Sequence, residues 1–85
     1  MEQFELLIQQ LFLPLVMHAE LVQVSTVNEE DNLITYQVLV HSDDLGRVIG
    51  KGGRVANAVR TIAYAGAAKE GKRIRIDIDA HQANE

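Results

Sequence analysis

The stretch that decides the fold is a glycine-rich link between two apolar segments. Residues 47–55 read Arg47-Val48-Ile49-Gly50-Lys51-Gly52-Gly53-Arg54-Val55. Because three glycines in four residues make continued helix costly, this pattern predicts two helices joined by a short loop. Glycine also lets a backbone approach a ligand closely, and amides at the start of the second helix would point outward as anion donors. Lys51 and Arg54 add positive charge at this loop, so the stretch predicts a phosphate-binding site.

The residues on either side complete a helix-loop-helix unit over residues 43–68. Ser42 is predicted to cap the first helix, with Asp43 and Asp44 in its opening turn. The second helix is predicted from Arg54 to about Ala68. Its expected inward stripe consists of Val55, Val59, Ile62 and Gly66, with Ala56 and Ala63 beside it.

The rest of the chain supplies one helix and three strands. Apolar residues at three- and four-residue spacings predict a helix over residues 2–17, with a kink or end near Pro14. Residues 21–40 predict a β-hairpin with its turn at residues 28–32, and residues 73–79 alternate strictly, which predicts a last strand before a frayed tail at residues 80–85. The order α-β-β-α-α-β predicts one α+β domain over residues 1–85. A three-stranded mixed sheet would carry its helices on one face.

Composition limits the function classes. The 85 residues suffice for one domain and contain no cysteine, which excludes disulfides and thiolate zinc sites. The acidic N-terminus and the lack of a long apolar run predict a cytoplasmic protein without a membrane span. Although the net charge is −4, residues 1–46 contain no Lys or Arg, whereas residues 47–75 contain all eight basic residues and one acid. This asymmetry predicts one face that attracts an anionic partner.

Other chemistry finds little support in the sequence. The loop fails as a nucleotide-binding P-loop, since three residues separate Gly46 from Gly50 where four are needed and Gly52 replaces the Ser or Thr that holds magnesium. A dinucleotide fingerprint would need glycine where Val55 stands, and it would follow a strand rather than a helix. No nucleophile motif is present, so we expect neither catalysis nor a cofactor. The three histidines lack ligand spacing, which favours ordinary surface or boundary residues over metal binding: His18, His41 and His81.

Several other side chains have plain structural interpretations. The cations of the last strand and the residue before it, Lys72, Arg73 and Arg75, are interpreted as edge-strand charges that aid solubility, with a second backbone contact as the alternative. Arg60 is interpreted as a solvated charge. Tyr64 is expected to pack at a helix surface or interface, with base stacking as the alternative.

The glycine-rich link resembles the signature of the KH domain, V-I-G-x-x-G-x-x-I/V, which joins two helices. It is matched by Val48, Ile49, Gly50, Gly53 and, with one residue fewer after the second glycine, Val55. The predicted order of elements is that of the type II, or prokaryotic, KH fold. Over about residues 2–79 the chain resembles the KhpA family of small bacterial single-KH-domain RNA-binding proteins.

This resemblance implies binding of single-stranded RNA, with the loop on the backbone of about four nucleotides and the bases in a groove between helices and sheet. The implied RNA-binding residues are Gly50, Lys51, Gly52, Gly53 and Arg54, together with Arg47, Val48 and Val55. The resemblance further implies an RNA chaperone that acts as a homodimer or with a larger, Jag-like KhpB protein and is linked to cell elongation and shape. The alternative is a protein-interaction or ribosome-associated module that binds no RNA in isolation. The alanine-rich second helix supports it, since Ala58, Ala65 and Ala67 could form a flat partner surface.

Overall fold

Six main elements follow one another in the predicted order in a computed structural model, which describes residues 1–82. The elements are α1 (Gln3–Phe12), β1 (Gln23–Glu30), β2 (Leu33–Val40), α2 (Ser42–Ile49), α3 (Arg54–Lys69) and β3 (Arg73–Ala80). Short 3₁₀ turns cover Leu13–Leu15, Ala19–Leu21 and Lys51–Gly53. Of the predicted tail, Ala80 belongs to β3, and residues 83–85 lie outside the described residues.

The first helix is shorter than the predicted span of residues 2–17. It begins with a capping box, in which Glu2 and Glu5 accept each other's backbone amides, and it ends at Phe12. Pro14 then sits inside a 3₁₀ turn. Proline has no amide to continue the i to i−4 ladder, which explains why the α-helical form stops there.

The hairpin turn is tighter than predicted, because β1 continues through the acidic residues to Glu30. Asp31 and Asn32 alone form the turn, with φ of 52° and 67°. Two consecutive residues at positive φ suit a two-residue hairpin, whose twist matches that of the strands. A register shift between Thr26 and Asn28 places a bulge at Val27, which is exposed.

The sheet has the order β1-β2-β3, with β1 antiparallel and β3 parallel to the central β2. Alternate side chains of β2 from Ile34 to Val40 are buried beneath the helices. Phe4, Ile8 and Phe12 of α1 and the inner residues of α3 complete this core. The predicted α+β fold with a three-stranded mixed sheet and helices on one face is therefore confirmed. Among residues 1–82, no helix has both the length and the apolar character needed to cross a membrane.

The predicted inward stripe of α3 is partly wrong. Ile62 was expected in the core but is 55% exposed, and Val55 is only half buried. The buried residues of this helix are Ala56, Val59, Ala63 and Ala67. Small side chains on the inner face let a helix backbone pack closely on the core. Three of the four buried positions in this helix are therefore alanines, and the spacing of the larger apolar residues did not predict its buried face correctly.

Candidate nucleic-acid interface

The loop between α2 and α3 is shaped by glycines that no other residue type replaces easily. Gly50 ends α2 with φ 77° and ψ 172°, a backbone region that is essentially restricted to glycine. Gly52 and Gly53 follow with φ of 63° and 80°. The chain therefore reverses within four residues, and α3 begins immediately afterwards.

The backbone of this loop is fixed by hydrogen bonds on both sides of its tip. The amides of Gly50, Gly53 and Arg54 donate to backbone carbonyls within the loop and α2. Lys51 and Gly52 form the tip itself, and both are exposed. Successive backbone amides in a turn with left-handed residues form concave anion-binding sites. Moreover, α3 begins without a side-chain cap, so its first turn adds the positive end of a helix dipole.

Three cations lie in this loop or within one helical turn of it. Arg47, Lys51 and Arg54 are all exposed, so each can reach a ligand in solvent. Among the described residues, neither Lys51 nor Arg54 pairs with a carboxylate. The three cations of the predicted site are therefore exposed, one in the loop and one on each of the two helices that it joins.

The two valines of the predicted site lie beneath this surface. Val48 is fully buried in the core, so its side chain is not available to a ligand and instead fixes α2 against the sheet. Val55 is half buried and packs against Gly50. Their contribution to the site is therefore to position the loop.

Asp44 positions Arg47, a role that the sequence analysis missed. This aspartate is the one buried charged residue of residues 1–82. Its carboxylate accepts the backbone amides of Met17 and His18, both at 3.0 Å, and the Nε of Arg47 at 3.2 Å. Burial alone raises the pKa of the Asp44 carboxyl, but these three hydrogen bonds outweigh it and hold the pKa below its usual range.

A signal for this role exists in the sequence. Asp44 lies one helical turn before Val48 and three residues before Arg47, so helix periodicity puts it on the buried stripe. The predicted cap is also wrong. His41, not Ser42, caps α2, since its Nδ1 accepts the amide of Asp43 at 2.9 Å.

The interpretation of Arg60 as a solvated charge is wrong as well. Its Nε donates to the carbonyl of Ile76 in β3 at 3.1 Å. One turn further along α3, the hydroxyl of Tyr64 accepts the amide of the same Ile76 at 3.4 Å. Together they occupy the amide and the carbonyl of Ile76, which an edge strand otherwise leaves unpaired.

A shallow cleft of about 270 Å³ lies beyond this contact, between α3 and the start of β3. Its lining residues are Leu33, Tyr64, Ala68, Lys72, Arg73 and Ile74. Tyr64 is ten residues after Arg54, so the cleft lies roughly 15 Å along the helix from the loop. The cleft combines an aromatic ring with two cations.

Comparison with known proteins places the chain in a family. The model of the KH domain of KhpA/KhpB matches residues 5–78. A protein named RNA-binding protein KhpA from Listeria monocytogenes is 49% identical over 74 residues, covering 87% of this chain and 96% of that protein.

Proteins of the same name from two further bacteria agree. The one from Oceanobacillus iheyensis is 42% identical over 72 residues, covering 85% of this chain and 95% of its own length. The one from Bacillus subtilis is 36% identical over 77 residues, covering 91% of this chain and 94% of its own length. Since the family model and these relatives span most of the sequence, and the fold has the type II KH order, this chain belongs to the KhpA/KhpB KH-domain family.

Proposed function

We propose that this chain binds single-stranded RNA and that the loop Gly50–Gly53 holds the phosphate backbone. The observation that carries the proposal is the exposed glycine-rich tip at Lys51 and Gly52, which leads into the uncapped start of α3 at exposed Arg54. Arg47, one helical turn before Gly50, is exposed as well. Amides and cations of this kind position a nucleic acid without reading its bases. The relatives named RNA-binding protein KhpA support the same function.

The cleft beside Tyr64 supports a path for the bases. Aromatic rings and cations along a groove are the combination that holds single-stranded nucleic acid. Lys72 and Arg73 at the cleft provide the positive charge, and Tyr64 provides a ring that is 37% exposed. RNA would thus run from the loop along α3, with Lys72 and Arg73 as further backbone contacts.

We also propose that the chain acts as a dimer, either with a second copy or with a KhpB-like partner. The outer side of α3 carries Ala58, Ile62 and Ala65 at helical spacing, all exposed, whereas Ala67 of the predicted partner surface is buried. An exposed apolar stripe flanked by small residues suits a facing helix. When two RNA sites are held together, binding at the first raises the effective concentration of RNA at the second. This gain in affinity compensates for the few nucleotides that one loop covers.

The finer roles rest on the family resemblance. They are action as an RNA chaperone in the bacterial cytoplasm, without catalysis, and participation in cell elongation and shape. The alternative function, a protein-interaction module without RNA binding, is favoured by the same α3 stripe.

The proposed RNA clamp, which is the loop Gly50–Gly53, is tested by titrating a short fluorescent single-stranded RNA with the protein at two salt concentrations. The variant Lys51→Asp/Gly52→Asp reverses the charge at the tip of the loop. Lys69→Asp, which reverses a lysine that lies outside both the loop and the cleft lining, is the control. Circular dichroism checks that each variant is folded. We expect salt-sensitive binding by the wild type and the control but not by the loop variant.

Two results would count against the clamp. Equal binding by the wild type and the loop variant would place the RNA site elsewhere. No binding by any of the three proteins would favour the protein-interaction module. Sedimentation of the wild type and of Ile62→Glu decides the dimer separately, because a charge in an apolar interface should shift the mass to that of a monomer.

A further inference from the structure

Three side chains that are separated in the sequence converge at the start of α2. The residues are His18, His41 and Asp43, and one donor atom of each lies within 4.8 Å of the donor atoms of the other two. The Nε2 of His18 is 4.0 Å from Oδ2 of Asp43, and the Nδ1 of His41 is 3.7 Å from the same oxygen. The spacing of the histidines in the sequence argues against a metal site, because His18 comes close to His41 and Asp43 only when the chain folds.

The cluster is held together by the buried carboxylate behind it. Asp44 accepts the amides of Met17 and His18, which fastens the turn before β1 to the first turn of α2. The imidazole rings of His18 and His41 then stack, with centroids 4.0 Å apart and planes at 19°. Their side chains remain 37% and 32% exposed, so an ion in solution can reach them.

We propose that His18, His41 and Asp43 form a binding site for a divalent transition-metal ion, with Zn²⁺ as the reference ion. Two imidazole nitrogens and one carboxylate oxygen are ligands that Zn²⁺ accepts, with water in the fourth position. Mg²⁺ prefers oxygen ligands in an octahedral arrangement, and it is therefore disfavoured by two imidazoles. Asp43 and Asp44 supply negative charge where the helix dipole alone would repel a cation.

Binding requires two local changes that the surroundings permit. The nitrogen lone pairs of the stacked rings lie in two nearly parallel planes, so at least one ring must turn before both can point at a shared ion, and the stack then opens. The Nδ1 of His41 also exchanges the amide of Asp43 for the ion. This amide belongs to an exposed first turn, where water can take over as acceptor.

The site is separate from the proposed RNA clamp. Helix α2 has eight residues, so the cluster at its start lies roughly 12 Å from the loop at its end. The inference therefore goes beyond the proposed function, and the Lys51→Asp/Gly52→Asp variant should bind Zn²⁺ like the wild type.

Calorimetric titration of the full, untagged chain with Zn²⁺ tests the proposal, with Mg²⁺ as the comparison ion. We expect one Zn²⁺ per chain and little binding of Mg²⁺. His18→Gln, Asp43→Asn and His41→Asn should each weaken Zn²⁺ binding by at least about tenfold. Asn at residue 41 still accepts the amide that caps α2, so this variant removes the imidazole and keeps the helix start. His81→Gln, which removes the third histidine, is the matched control and should bind like the wild type.

Nuclear magnetic resonance on the wild type keeps the test decisive if a variant fails to fold. Zn²⁺ should shift the ring signals of His18 and His41 and leave those of His81 in place. The proposal is overturned by any of four results: no Zn²⁺ binding, equal affinity for Mg²⁺, a loss in His81→Gln as large as in His18→Gln, or ring shifts confined to His81.

Discussion

Gly50 and Val55 approach so closely that no side chain fits between them. A Cβ at Gly50 would overlap a methyl group of Val55 and lie 2.8 Å from both its Cβ and its backbone nitrogen. The conformation of Gly50, with ψ of 172°, is also one that residues with a Cβ avoid. At Gly52, by contrast, a Cβ would meet nothing within 4 Å, although φ is again positive. Gly50 is therefore required by both packing and backbone conformation, whereas Gly52 is required by backbone conformation alone.

Alanine substitutions should separate these requirements. We expect Gly52→Ala to lower the free energy of unfolding by about 1 kcal/mol, the cost of a left-handed conformation for an ordinary residue. Gly50→Ala should cost more than about 2 kcal/mol, because the overlap with Val55 adds to the strain. Urea denaturation followed by circular dichroism measures both. Equal losses in the two variants would contradict the close packing of Gly50 on Val55.

The salt dependence of RNA binding should report on Lys51. If its ammonium group neutralises one phosphate of a single strand, Lys51→Ala should reduce the slope of log K against log salt by about 0.7. The affinity for RNA should fall at low salt and differ less at high salt. Lys69→Ala, at the opposite end of α3, should leave the slope unchanged. An unchanged slope in Lys51→Ala would mean that the loop cation makes no phosphate contact.

The buried carboxylate of Asp44 should matter more for stability than its partner Arg47. Asp44→Asn places an NH₂ group where the carboxylate accepts amides from Met17 and His18. We therefore expect a clear fall in the urea midpoint, since a buried donor would face other donors. Arg47→Ala keeps both amide contacts and should shift the midpoint much less. Similar shifts in the two variants would show that the ion pair, rather than the amide bonds, carries the stabilisation.

The order of elements was predictable because each carries a strong local pattern. The glycines after Ile49 end α2, and the strict alternation from Arg73 onward specifies β3. The loop and its cations were predictable for the same reason, since adjacent residues in the sequence form the site. What remained unpredicted depends on contacts between distant residues.

The errors have identifiable physical causes. Ile62 was assigned to the core because it is large and apolar, whereas the close packing of α3 favours alanine on the inner face. The contact of Arg60 with Ile76 joins a helix to an edge strand, and no spacing within the helix reveals it. The His18 and His41 pair is formed only when the turn before β1 folds onto α2.

Alkaline pH should destabilise the fold through Tyr36. This side chain is fully buried, and its hydroxyl donates to a carboxylate oxygen of Glu2 at 2.7 Å. Burial, followed by the hydrogen bond to Glu2, raises the pKa of Tyr36 above its ordinary value. The unfolded chain loses the tyrosine proton near pH 10, whereas the folded chain keeps it. The stabilisation is therefore complete below about pH 10 and is lost as the pH rises further.

Tyr36→Phe tests this dependence. At neutral pH the variant should lose about 1 kcal/mol, the net value of one hydrogen bond. Above about pH 10 its free energy of unfolding should fall less steeply than that of the wild type, because one linked proton is missing. If the free energy of unfolding falls with pH equally steeply in the wild type and in Tyr36→Phe, groups other than Tyr36 cause the loss of stability at alkaline pH.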